Sequence, residues 1–399
     1  MSEALISRAQ ARVETGSLDD ALADVRSAYE LAVEARDGEL VSNAATWGES
    51  NVLDDLGRTH EELRALHRGL DDLRQLGVPR RGHAWLAALA AGHHLEHGDA
   101  RECRDLLREA LGSPTDGGLG SIQLRLTAAL LAVRQGRTDE AVDHLTRAEK
   151  LVTANDTYRG LNFEITRVEV ALAGRDPRGA YHVALGVLRG ILDHRWERLP
   201  FLAARATGDL LQHARDRSNN RQVRHWLDAL DDLERARSAL PAPSDDFANA
   251  SPGTMAAAFA LYDAELARCR GDAQTAYAWR RAVDLCASVS QRWDEAYARW
   301  RLAEALVADP ASKGRVRRRV TTSAGARVEL GAEPWLREID ALAAMARIRL
   351  DDVRAETPMR RLPAPIDLLT PRNTRYSHTC GRVERMRRSP RSWSSATRP

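Results

Sequence analysis

One local pattern recurs along this chain and limits its fold more than any other: a Gly, a few polar residues, then a helical run whose inward positions are small. It appears as "TGSLDDALADVRSAYELA" at Gly16, "LGRTHEELRALHRGLDDL" at Gly57, "HGDARECRDLLREAL" at Gly98, "QGRTDEAVDHLTRAEKL" at Gly136 and "AGRDPRGAYHVALGVL" at Gly174. Successive glycines are 41, 41, 38 and 38 residues apart. A later copy, "RGDAQTAYAWRRAVDLC", turns at Gly271, and "ADPASKGR" begins 37 residues on at Ala308.

A Gly can take the left-handed conformation that ends one helix, and an Asp, Ser or Thr just after it can cap the next. Each copy therefore predicts two antiparallel helices. Ala21, Cys103, Ala141 and Ala276 lie five residues after their Gly, and Ala28, Ala110 and Ala148 lie twelve after. Small side chains there let paired helices approach closely. A lone hairpin of this kind cannot bury its apolar face, so the period of about 38–41 residues predicts an all-α, tetratricopeptide-like solenoid of stacked helical hairpins, somewhat longer per repeat than the usual ~34.

Between Gly174 and Gly271 the rhythm slips. "ARDRSNNRQVRHWLDALDDL" predicts one more turn and helix near Ser218, followed by a linker, "LPAPSDDFANASPG", whose prolines interrupt any helix. Residues 1–239 are thus expected to form a first superhelix, 240–253 a linker and 254–356 a second set of helical repeats. A shorter break, "GSPTDGGLGS", ends at Ser121, the expected cap of the following helix.

Composition narrows the function. The formal charge of +2 hides an asymmetry: residues 371–399 hold eight Arg and one Glu, a local +7, which leaves −5 for the rest. A mildly acidic body has no electrostatic footprint for nucleic acid, so weak non-specific binding by the tail is the most that charge supports. Cys103, Cys269, Cys286 and Cys380 are too scattered for a disulfide framework or a CxxC site. The start, "MSEALISRAQARVETG", has no apolar run of signal-peptide length, and nothing later approaches a membrane span, so the expected location is the cytoplasm.

Catalytic motifs are absent: no GxxxxGK[ST], GxGxxG, GxSxG or HExxH occurs. No enzyme activity and no cofactor are expected. "GHHLEHGD" places His93 and His97 at i, i+4 and His94 and His97 at i, i+3, spacings that could share a divalent ion. No acidic or Cys ligand is placed to complete the set, so the expected role is a polar helix end and the expected metal is none. Trp47, Trp85, Trp196, Trp226, Trp279, Trp293, Trp300 and Trp335 fall in helical patterns, where large rings wedge neighbouring hairpins together. Some could instead line the concave groove.

Several stretches taken together carry a resemblance. "ESNVLDDLGRTHEELRALHRGLDDLRQLGV", "GHAWLAALAAGHHLEHGDARECRDLLREAL", "RWRLAEALV" and "ELGAEPWLREIDALAAMARIRLD" before "LLTPR" resemble the sensor and C-terminal regions of large LuxR-type transcriptional regulators. In that family a STAND-type NTPase domain precedes a tetratricopeptide-like superhelix and a LuxR-type helix-turn-helix. Residues 1–372 carry the resemblance, which implies a protein or small-molecule effector in the superhelical groove. No Walker motif is present, so the NTPase domain is expected to be missing.

After a Pro-rich linker at 357–368, the DNA-binding domain begins with Leu369, Thr370, Pro371 and Arg372 and then departs from the family pattern. Restoring one nucleotide after the Arg372 codon lets the remaining 27 residues be reread as EHEVLTHLRQGGANAQVAAELVISDKT, very similar to the start of a LuxR-type helix-turn-helix. Residues 369–399 are therefore expected to be a frameshifted, disordered basic remnant. A softer case of the same kind lies at Lys313–Ala324, where Arg315–Ser323 are expected to form a poorly packed basic helix or a loop. The expected function is a repeat scaffold derived from such a sensor region, without an intact DNA-binding domain. The alternative is a DNA-binding LuxR-family regulator.

Overall fold

The computed structural model describes residues 1–56, 58–79, 83–112, 118–155, 161–190, 198–240 and 252–308, together with a few residues between 338 and 344. All secondary structure among the described residues is helical. The first hairpin is α1 (Ser2–Glu14) with α2 (Leu18–Glu34). In the second, α3 (Gly38–Asn43), a π-helical stretch (Ala44–Ser50) and α4 (Asn51–Asp55) run end to end and pair with α5 (Thr59–Gln75). Then follow α6 (Ala84–Glu96) with α7 (Ala100–Leu111), α8 (Leu119–Arg134) with α9 (Thr138–Asn155), and α10 (Leu161–Ala173) with α11 (Pro177–Gly190). The series continues with α12 (Arg198–Asp216) and α13 (Asn220–Ser238), α14 (Pro252–Arg270) and α15 (Thr275–Ser288), and finally α16 (Arg292–Ala308), which packs on α15.

The hairpins stack through their first helices: α6 packs on α8, α8 on α10, α10 on α12 and α12 on α14. One apolar core runs from Ile165 to Leu342 and includes residues of both α12 and α14, so stacking continues across residues 240–253. The chain is a tetratricopeptide-like helical solenoid. Of the region beyond residue 308, the tail, the Pro-rich linker and Arg315–Ser323 all lie outside the described residues.

The repeating turn has one backbone mechanism. Among the described residues nine helix ends close with a left-handed residue, five of them Gly (Gly16, Gly77, Gly98, Gly136, Gly271) and four not (Arg36, Arg175, Ser218, Ser290). Each donates its own N–H and that of the next residue back into the last helical turn. At the first, Gly16 N–H reaches Val13 O at 3.1 Å and Ser17 N–H reaches Arg12 O at 2.8 Å. Gly57 lies outside the described residues. At the α10–α11 turn the expectation fails by one position: Arg175, not Gly174, takes the left-handed conformation, with φ +58°. The non-glycine turns explain why a rhythm read from glycines slips beyond Gly174.

Three smaller expectations also change. Ser121 is not a cap: α8 starts at Leu119 with Gly118 before it, and Ser121 is buried inside the helix. Side-chain capping is selective as well. Asp37, Asp176 and Asn219 accept backbone N–H bonds at helix starts, whereas Ser17 and Asp99 do not. Ala21, Cys103 and Ala141 are fully buried, but Ala276 is half-exposed because α15 begins four residues after Gly271, not two.

Close helix approach is built in at Gly120, where an added Cβ would lie 2.6 Å from the Trp85 backbone nitrogen and 2.9 Å from the Ala84 carbonyl carbon. Backbone cannot swing aside as a side chain can. Gly120→Ala is therefore expected to push α8 off α6 and cost ~1–3 kcal/mol, read as a lowered midpoint in urea denaturation.

Candidate functional site

On two of the stacked first helices, α8 and α10, polar residues recur at helical spacing. Gln123, Thr127 and Arg134 on α8, and Asn162, Thr166 and Glu169 on α10, face a cavity of about 70 Å³. The end of α6 contributes Leu95 and Glu96, the start of α12 contributes Arg198, and Gln291, Trp293 and Asp294 close it from the start of α16. The solenoid therefore curls far enough to bring α16 against α6 of the third hairpin.

The junction is specific. Leu95 O accepts the Trp293 indole N–H at 2.9 Å and an Arg134 guanidinium N–H at 2.9 Å, across 198 and 39 residues of sequence. The Arg134 guanidinium also lies 5.1 Å from the Trp293 ring centre. Beside them Arg198 bridges two carboxylates, Glu169 at 2.8 Å and Asp294 at 2.6 Å. All three side chains are almost enclosed, 9–12% exposed. Burial alone would raise the Glu169 carboxyl pKa; Arg198 and Arg134 outweigh it and hold that carboxyl below its usual range. Arg134 moves the other way, because burial lowers its guanidinium pKa against the pull of Glu169.

A second buried network joins helices α12, α14 and α16. Tyr297 donates its hydroxyl to Glu265, which is fully buried, and accepts from Arg301 at 3.0 Å. Arg268 reaches Glu265 at 2.6 Å, while Arg268 and Arg301 share Asp209 at 3.1 and 2.9 Å. Burial, opposed by Arg301, raises the Tyr297 hydroxyl pKa above its normal value. These bonds tie α12, α14 and α16 into one unit.

The histidine run sits beside the cavity, and its side chains take different partners. His93 Nε2 approaches Glu62 at 2.9 Å, His94 Nε2 approaches His67 Nε2 at 2.9 Å, and His97 Nδ1 donates to the His93 carbonyl at 2.8 Å. The three imidazoles of "GHHLEHGD" thus turn to three different partners, and no group of three or more metal-ligating side chains occurs among the described residues. Burial, reinforced by His93, lowers the His97 pKa to about 4, and burial with His94 lowers that of His67.

The tryptophans divide. Trp226 and Trp279 are buried between helices, and Trp47 stacks on Trp85 at 5.5 Å. Among the described residues, Trp293 is the one at the cavity. Trp196 and Trp335 lie outside the described residues, as do Leu369, Thr370, Pro371 and Arg372. Sequence reasoning missed Arg134, Glu169, Arg198 and Asp294, whose usable signal was charged residues on helix faces otherwise made of Ala, Leu, Ile and Thr.

No protein-family model matches the chain, and no curated protein matches it in sequence. Among solved structures, the chain is similar to the TPR domain of P58(IPK). The likeness covers 89% of this chain and 97% of that one, at 14% identity and a TM-score of 0.24. At that score it carries no argument, and the fold rests on the paired helices described above. No helix among the described residues is long and apolar enough to cross a membrane.

Proposed function

We propose that the chain is a non-catalytic helical-repeat scaffold that takes a small effector in the cavity between α6, α8, α10 and α16, and that it derives from the sensor region of a LuxR-type regulator working in the cytoplasm. One observation carries the binding reading. Where the solenoid closes on itself, the joint is a cavity rimmed by hydrogen-bonding side chains, not a continuous apolar seam. Such concave, partly apolar sites with a few fixed polar groups are where repeat folds hold ligands.

Thr127 is buried at the cavity wall, so Thr127→Trp would fill the space. Small-molecule fractions from a cell extract are expected to raise the melting temperature of the native chain by several degrees and to leave this variant unmoved, once circular dichroism shows that the variant keeps its helices. No shift with any fraction would sink the reading.

The lineage is supported by the quoted stretches before Arg372 and by the rereading of residues 373–399. It is tested by the nucleotide sequence on both sides of the coding region: an upstream frame without a Walker motif and a downstream frame that does not complete a helix-turn-helix would refute it. The eight arginines of residues 371–399 favour one second reading, DNA binding. Salt-sensitive, sequence-independent attraction is expected of such a tail, and nanomolar, sequence-selective affinity at physiological salt would favour the regulator reading instead.

A further inference from the structure

Six of the chain's twelve histidines, His60, His67, His83, His93, His94 and His97, lie within 38 residues. Three of them stand on the turn of α6 that carries Leu95. That turn does two jobs at once. Its carbonyls hold the cavity joint, since Leu95 O accepts from Trp293, Arg134 and Gly98 N–H. Its side chains hold the histidine contacts on the opposite side, across to α5.

We propose that the last turn of α6 is a proton-operated latch: uptake of protons by the His67–His94 pair and by His97 displaces Leu95, frees Trp293 and Arg134, and opens the cavity. This rests on the reading of the cavity as a binding site. The chemistry is local. At 2.9 Å one of the facing Nε2 atoms of His67 and His94 must be bare, so the contact survives one added proton and not two. With one proton added a single N–H still bridges the two rings, and His94 Nδ1 faces Asp99 at 3.5 Å. The second sets two N–H groups and two positive charges against each other.

His97 adds to this, because its ring stacks on that of His93 with centres 6.0 Å apart, and His93 is held against the buried carboxylate of Glu62. Charging His97 places a cation over the ring of a histidine that stands 2.9 Å from Glu62. Glu62 itself accepts from the Ser50 hydroxyl at 2.7 Å. The other charges bearing on the cluster are Asp71 and Arg74 on α5, which act on His67 with opposite signs, and His60 and Asp99, which do the same on His97. From α8 the charged group at this turn is Arg134, whose own bond to Leu95 is one of those released.

The direction follows from the depressed basicity of His97, about 4 against an ordinary 6.5. The closed form binds fewer protons than the open one, so closure is complete above about pH 6.5 and is lost as pH falls toward about 4.

The test uses the full chain in EDTA, with acrylamide quenching of tryptophan fluorescence and far-UV circular dichroism followed from about pH 8 to about pH 4. The signal of the Trp293→Phe variant is subtracted to isolate Trp293. Quenching of Trp293 is expected to rise several-fold within this range before helicity falls. His67→Gln combined with His94→Gln should move the midpoint down by about one pH unit or abolish the step, while His182→Gln, an exposed position on α11, should not. A Trp293 signal that stays flat until the helices melt, or a double variant with an unchanged midpoint, overturns the latch. Failure of the extract fractions to bind while the pH step persists would remove the effector reading alone.

Discussion

Replacing Arg198 with Ala is expected to destabilise the chain by about 3–5 kcal/mol, measured as a lowered urea midpoint at neutral pH. The magnitude follows from what remains. Arg198 is the common partner of Glu169 and Asp294, and without it two nearly enclosed carboxylates lose their bridging cation. Removing one member of a buried ionic set costs far more than the set contributes, because the desolvation of the survivors is no longer offset.

The same variant has a pH signature. Glu169 is held below its usual pKa range, with burial as the opposing and largest single influence. Losing Arg198 lets burial dominate, so the carboxyl pKa rises and the defect should shrink as pH falls and Glu169 takes up its proton. Arg198→Lys keeps the charge but cannot offer the same forked pair of donors, and an intermediate loss is expected. A cost under about 1 kcal/mol for Arg198→Ala would show that the junction is solvated and marginal.

Trp279→Ala should be comparably severe, also about 3–5 kcal/mol, because Trp279 is completely buried where α15 meets α16 and packs edge-on against Tyr297 at 5.8 Å. Truncation leaves a cavity too large for the backbone to close over. Trp279→Phe is the informative companion. The indole N–H of Trp279 has no hydrogen-bond partner among the described residues, so Phe removes a desolvated donor as well as some volume. Its cost is expected to stay below about 1.5 kcal/mol. Equal losses in calorimetry for the two variants would show that the volume removed does not set the cost at this site.

These two residues differ in how visible they were. Trp279 sits in a helical pattern that already predicted a wedge between hairpins. Arg198 gave no such signal, since its partners are 29 and 96 residues away and an Arg near the start of a helix reads as surface charge. Likewise His93, His94 and His97 could be grouped by spacing, yet the actual partners of His93 and His94, Glu62 and His67, sit on a neighbouring helix. A stretch of sequence can place side chains on one face, but the orientation of the adjacent hairpin chooses which groups they meet.

What the sequence determined by itself was therefore local: an all-helical chain, turns near Gly16, Gly98, Gly136 and Gly271, and small residues where paired helices touch. Helix ends and capping turns depend on the conformational range of a few consecutive residues, which is why they can be read without a structure. Even so, Arg175 and Ser218 entered the left-handed region without being glycine, because stacked hairpins on both sides outweigh a local cost of about 1–2 kcal/mol. The cavity, the Leu95–Trp293 junction and the Arg198 bridge were decided only by tertiary structure. They exist because small rotations between successive hairpins add up until α16 meets the third hairpin, and no single segment of the chain contains that sum.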